Sequence, residues 1–162
     1  MQKVISNSST IIHLAKINEL TLLKEYYQTI TIPAKVQKEC IFEGEDRKEV
    51  EIIKGADWIN VEHVKDQNLV KLLRTTLDDG ESEAIALAVE IGADLILLDD
   101  SDAREKARLF GLNITGIIGI LLRAKSDGKI VSLKEKLTAL KESGFWIGVE
   151  LEKVLLSEAS ES

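Results

Sequence analysis

An α/β domain built on a parallel sheet is the fold class this sequence predicts, on three observations. Short apolar or β-branched runs alternate along the chain with helical stretches. The run Asp94 to Leu98 (DLILL) is almost wholly apolar, as a strand covered on both faces must be. Helix-starting residues follow the first two runs directly, NSST after one and Pro33 after the other.

Lys3 to Ser6 (KVIS) reads as a short buried strand, and NSST then caps a helix whose apolar face is Ile11, Ile12, Leu14, Ala15 and Ile17. After a second helix around Leu20 to Tyr27, Thr29 to Ile32 repeats the strand and Ala34 to Phe42 the helix. The charged stretch EGEDRKEVEIIKG holds a short helix, and the alternation of DWINVEHV predicts a strand with one half-exposed face. An amphipathic helix near Asn68 to Arg74 precedes LDDG, which reads as a break. GESEAIALAVEIGA is then a strong helix closed by Gly92, leading into DLILL. DDSDAREKARLFG gives a helix, NITGI a short strand, and GIIGILLRAKSDG a helix ending at Gly128. From Ser132 to Leu156 the pattern is helix, turn at Gly144, short extended FWIGV and final helix. The expected organisation is one domain, with a body over 1–131, a helix-strand-helix extension over 132–156 and a flexible tail over 157–162.

At 162 residues and 44% hydrophobic content, the chain suits one well-filled core. A net charge of -7 argues against a broadly basic surface, so any contact with nucleic acid must be local. The single cysteine, Cys40, leaves no internal disulfide, and with only His13 and His63 there is no zinc-type ligand set. No run approaches the roughly 18 apolar residues of a membrane helix, and the N-terminus does not read as a signal peptide. A soluble, cytoplasmic protein that does not touch a membrane is expected.

Parallel α/β sheets collect binding residues at the carboxyl ends of their strands. Asn7 follows the first strand, Asp99 and Asp100 follow DLILL, Glu81 and Glu83 open the preceding helix, and Glu39 lies in the helix after Pro33. Glu39 sits three residues after Val36, on the border of the buried side. Glu81 shares a stripe with Ile85 and Ala88, whereas Glu83 lies roughly 200° away. Each acid alone has an ordinary alternative: Asp99, Asp100 and Asp102 as caps, Glu81 and Glu83 as first-turn acids, Asn7 as an Asx-turn residue. Their conjunction is what points to chemistry. Crowded carboxylates raise one another's pKa unless a cation neutralises them, and an all-oxygen set suits Mg²⁺ or Mn²⁺. Such an ion can activate water and polarise a phosphodiester.

Among basic residues, Arg104 is the candidate phosphate contact. Arg108, Lys35, Lys38, Arg123, Lys125 and Lys129 border the same edge or decorate solvated helix faces. Ser6, Ser8, Ser9 and Thr10 offer hydroxyls to a metal shell or phosphate, or serve as caps. Trp58 and Trp146 sit in apolar contexts that favour core or interface over base stacking. Neither GxGxxG nor GxxxxGK[ST] occurs, and a phosphoacceptor receiver would need paired acids after the first strand, where NSS stands.

At VISNSSTIIHLAKI, IPAKVQKEC, LDDGESEAIALAVEIGADLILLDDSDAR and GLNITGIIGILLRAKSDGKI the chain resembles the PIN-domain family; the tail GFWIGVELEKVLL is also similar. The resemblance implies a three-layer fold with a central five-stranded parallel sheet flanked by helices. It further implies an acidic pocket holding Mg²⁺ or Mn²⁺, and endoribonuclease activity on single-stranded RNA as in VapC-type toxins. It carries with it a small antitoxin protein as partner and a homodimer. Carried over, Glu39, Glu81 and Asp99 are the catalytic acids, with Glu83 the alternative to Glu81 and Asp100 or Asp102 the neighbour of Asp99. Asn7, Glu39, Glu81, Glu83, Asp99 and Asp100 form the candidate metal set, and Arg104, Lys38 and Ser8 the candidate nucleic-acid contacts. The departure is Asn7, where the family usually has aspartate. An amide can offer a carbonyl oxygen to a metal, but it brings no charge and cannot act as a base. A catalytically weakened nucleic-acid-binding or regulatory protein is therefore the alternative function.

Overall fold

The computed structural model describes residues 2–43 and 48–161. Five strands, β1 Val4–Ser6, β2 Ile30–Pro33, β3 Ile59–Glu62, β4 Leu95–Leu97 and β5 Ile114–Thr115, form one sheet in the order β3-β2-β1-β4-β5. Every pairing is parallel, and β1 meets β4 with Ile5 opposite Ile96 and Ser6 opposite Leu97. The chain adds β2 and β3 on one side of β1, then crosses over to add β4 and β5 on the other. The winding therefore reverses between β1 and β4, the place where open sheets of this kind form a ligand crevice.

Side chains alternate across the sheet and build two cores. Val4, Ile30, Ile32 and Leu97 face helices α1 Ser8–Lys16, α2 Thr21–Tyr27, α8 Ile117–Ser126, α9 Leu133–Glu142 and α10 Val149–Glu158. Ile5, Ile96 and Leu98 face α5 Gln67–Leu73, α6 Asp79–Ile91 and α7 Ser101–Leu109. Each fully buried aliphatic side chain contributes roughly 1.5–3 kcal/mol relative to exposure. The expected three-layer fold around a five-stranded parallel sheet is the fold observed.

Several local expectations are corrected. LDDG is not a break: Asp78 is the N-cap of α6, and Gly80 lies inside its first turn. Asp78 accepts from the Glu81 N–H at 2.8 Å while the Glu81 carboxylate reaches back to the Asp78 N–H, and this capping box offsets the helix penalty of Gly80. The helix after Pro33 starts as α3 Ala34–Gln37 and widens into a π-type turn over Lys38–Phe42. In the charged stretch, residues 44–47 lie outside the described residues, and α4 Lys48–Lys54 follows them.

The FWIGV segment forms no strand. β3 and β5 are the sheet's edges, and the segment packs by side chains instead: Phe145 stands edge-on to His13 with ring centroids 5.3 Å apart, and Ile147 is buried. Trp58 is buried as expected, but Trp146 is 85% exposed and so is no core residue. Residues 157 and 158 end α10, and Glu161 makes contacts back to α9. The Glu161 carboxylate accepts from the N–H groups of Leu133 at 2.7 Å and Lys134 at 3.1 Å and pairs with Lys125 at 3.0 Å, capping α9 from the far end of α10. No helix among the described residues is long and apolar enough to cross a membrane.

The N–H groups of Leu133 and Lys134, with Lys125, hold the Glu161 carboxyl down at about 2, against an ordinary 4.5. A depressed value stabilises the fold above pH 4.5, and the contribution is lost as pH falls toward 2. Glu161→Gln is expected to lower Tm at neutral pH and to melt with the parent near pH 2, followed by circular dichroism. Equal Tm values at neutral pH would show that the clasp contributes nothing.

Candidate functional site

The first turn of α1 organises the strand-end edge. Asn7 ends β1 and caps α1, its side-chain oxygen accepting from the Thr10 N–H at 3.1 Å. The Thr10 hydroxyl, fully buried, donates to Asp99 Oδ2 at 2.7 Å, and Asp99 Oδ1 accepts from the Ile117 N–H at 2.9 Å at the start of α8. Thr10 thus holds together the residues that follow β1 and β4, on either side of the reversal point of the sheet. The Ser8 hydroxyl reaches the Glu39 carboxyl from the same turn.

Glu39, in the π-type turn after α3, is half-buried, and its Oε1 is buried with no hydrogen-bond partner. It lies directly on the first turn of α6. A Cβ on Gly80 would overlap Glu39 Oε1 and stand 2.8 Å from its Cδ. Gly80 is bare because a carboxylate occupies the space of its side chain. Gly116, the N-cap of α8, plays the same part beside β4: a Cβ there would meet Asp99 Oδ1 at 2.6 Å and Arg104 Nη1 at 3.2 Å.

Glu81 is half-buried in the capping box, and the charges felt at its carboxyl are those of Asp78 and Asp100. This links the start of α6 to the start of α7. Glu83 turns to α3, where its Oε1 accepts from the Lys35 N–H at 3.2 Å. Asp100 is exposed and caps α7, accepting from the Ala103 N–H at 3.0 Å. Asp102 is exposed in that helix's first turn.

Arg104 is half-buried against Gly116 and near enough to Asp99 to lower its pKa. Lys35 pairs with Glu43 at 3.3 Å, and Lys38 is exposed. Arg123 lies over the Tyr26 ring at 3.9 Å, Lys125 holds Glu161, and Lys129 pairs with Glu25 at 3.6 Å, so these three serve the α2 and α9 side rather than the crevice. Thr10, Gly80 and Gly116 carry more of the geometry than their sequence context announces. A glycine inside a helix's first turn, where it costs stability, is the signal that marks Gly80.

Burial pushes the carboxyls of Glu39, Glu81 and Asp99 above their ordinary values. For Glu81, burial together with Asp78 and Asp100 raises it to about 7, so it is partly protonated at neutral pH. For Asp99 the Ile117 N–H, the Thr10 hydroxyl, His13 and Arg104 oppose the burial effect. For Glu39 the Ser8 hydroxyl and Lys35 oppose it, while Asp78 and Glu43 add to it. Among the described residues no three of His, Cys, Asp and Glu stand close enough to form a ready cage. The donors fit a cation that keeps much of its water: they are all oxygens, and the Glu39 oxygen has no other partner. Mg²⁺ is commonly held in that way, by one or two carboxylates.

The Glu39–Gly80 contact predicts a background dependence. Gly80→Ala is expected to push the Glu39 carboxylate aside, a cost that offsets part or all of the helical gain in the parent. In a Glu39→Ala background the same change is expected to stabilise by about 0.5–1 kcal/mol, the usual helical preference. Urea denaturation of the four proteins measures this, and an equal effect in both backgrounds would contradict the contact.

The chain matches the family described as DUF3368, a PIN domain, over residues 3–161. A solved structure of a PilT N-terminus domain protein from the hyperthermophilic archaeon Sulfolobus solfataricus is similar, with a TM-score of 0.55 and 25% identity over 76% of this chain and 93% of that one. No curated protein matches the sequence. With a sheet that reverses at β1, acids at its strand ends and a family match over nearly its whole length, the chain belongs to the PIN-domain family.

Proposed function

We propose that this chain is a divalent-metal-dependent endoribonuclease acting on single-stranded RNA, with Glu39, Glu81 and Asp99 as its catalytic acids. One observation carries the reading. Three carboxyls from three separate elements lie toward the strand-end edge, each raised above its ordinary value first by its own burial, and the Glu39 Oε1 is buried without a hydrogen-bond partner. A buried carboxylate is costly and is relieved by positive charge. A bound Mg²⁺ or Mn²⁺ would supply that charge and polarise the scissile phosphodiester.

The chain's own residues then divide the work. Asp99 is fixed by two hydrogen bonds, from Ile117 N–H and the Thr10 hydroxyl, so its carboxylate is preorganised. Glu39 offers its free oxygen from the Gly80 cradle. Glu81, with a value of about 7 before any cation arrives, can exchange a proton near neutrality. Glu83, which accepts from the Lys35 N–H, and Asp100, the cap of α7, complete the proposed metal set, and Arg104, Lys38 and Ser8 are the proposed contacts to RNA. The resemblance to VapC-type toxins is what supports a small antitoxin partner and a homodimer.

The full chain is expected to cleave single-stranded RNA with Mn²⁺ or Mg²⁺ and not in EDTA. Asp99→Asn and Glu39→Gln are each expected to lower the rate by about 100-fold or more. Arg104→Ala is expected to weaken RNA binding and to reduce its salt slope by about 1. Cleavage that survives both acid substitutions would remove the assigned site.

A further inference from the structure

Arg104 sits near the start of α7 and is half-buried. A guanidinium keeps its charge at any ordinary pH, so burying part of it calls for an anion nearby. Among the described residues Arg104 closes no ion pair and no side-chain hydrogen bond. The anion beside it is Asp99. A Cβ on Gly116 would meet Asp99 Oδ1 at 2.6 Å and Arg104 Nη1 at 3.2 Å, so carboxylate and guanidinium enter one notch above that glycine. Burial raises the Asp99 carboxyl, and Arg104 is among the groups that oppose the rise.

The two partners differ in freedom. Asp99 is pinned through both oxygens, Oδ1 by the Ile117 N–H and Oδ2 by the Thr10 hydroxyl, whereas the guanidinium ends a long side chain that no such bond holds. A cation arriving at Asp99 meets a positive charge already beside the carboxylate, and Arg104 is the group able to yield. We infer that Arg104 is a built-in competitor for Asp99: it neutralises the carboxylate when no divalent cation is held there, and is released toward RNA phosphate when one binds. Cation binding and RNA binding are thereby coupled through one side chain, and such coupling is reciprocal. The inference rests on the proposed metal-dependent reading of the same acids.

The test uses binding alone, on the full chain, with circular dichroism to check that each variant is folded. By calorimetry, Arg104→Gln is expected to bind Mn²⁺ about tenfold tighter than the parent, because charge count sets the affinity of oxygen sites. Arg104→Met, which keeps the apolar stem, gives the same readout should Gln destabilise α7. Arg104→Lys keeps the charge and is expected to stay within about threefold of the parent. Arg108→Gln removes the same charge from an exposed position one turn further along α7, where solvent and salt screen it, and is expected to change the affinity less than about twofold. In EDTA, Asp99→Asn is expected to bind a labelled single-stranded RNA about fivefold tighter by fluorescence anisotropy, a gain that shrinks below about twofold in an Arg104→Gln background. Unchanged Mn²⁺ affinity without the Arg104 charge, equal tightening in Arg108→Gln, or an equal RNA gain in both backgrounds overturns the inference. The reading beneath fails separately. Mn²⁺ affinity that survives Asp99→Asn removes the metal assignment, whereas Mn²⁺ binding that needs Asp99 but ignores Arg104 overturns the competitor alone.

Discussion

The two donors of Thr10 are the constraint on which the site depends. Its N–H fixes Asn7 and its hydroxyl fixes Asp99, so one buried residue holds the loops after β1 and β4 in register across the crevice. The sheet makes this possible. Only because β1 and β4 are neighbours, with Ser6 opposite Leu97, do residues more than ninety positions apart in sequence end on the same turn of helix. The contact is also why the start of α1 cannot be exchanged for any other good cap. Serine or aspartate at position 7 would cap α1, but each would present a different group to the crevice.

The strand-end acids are held in place against the cost of their own burial. Glu39, Glu81 and Asp99 all lose solvation, and for Glu81 the neighbouring charges of Asp78 and Asp100 add to the cost. The fold offsets this with donors: Ile117 N–H and Thr10 at Asp99, Ser8 at Glu39, the capping box at Glu81. Gly80 and Gly116 add room rather than charge, by letting a carboxylate lie where a Cβ would otherwise be. Positive charge near buried carboxylates would offset this cost, which is why the proposed reading calls for a cation.

Much of this was legible in the sequence, because local chemistry dictated it. DLILL had to be a doubly covered strand, NSST had to cap a helix, and strand ends had to gather the acids. What was not legible depended on reciprocal or distant partners. LDDG looked like a break because the pairing of Asp78 with Glu81 outweighs a glycine only once the helix forms. Helix phase separated Glu81 from Glu83, but the Lys35 N–H that takes Glu83 comes from another element. FWIGV had the composition of a strand but packs by side chains instead, and the Glu161 contact with the start of α9 joins residues far apart in sequence. Asn7 could be seen to be uncharged, but the commitment of its oxygen to the Thr10 N–H appears only once α1 forms.

The central claim is that the acids around this crevice gather a divalent cation. A crystal of the full chain soaked in Mn²⁺ and measured for anomalous scattering tests it most directly. The expected result is an anomalous peak above the ends of β1 and β4, within ligand distance of Asp99 and Glu39. Mn²⁺ bound only elsewhere on the surface would contradict it.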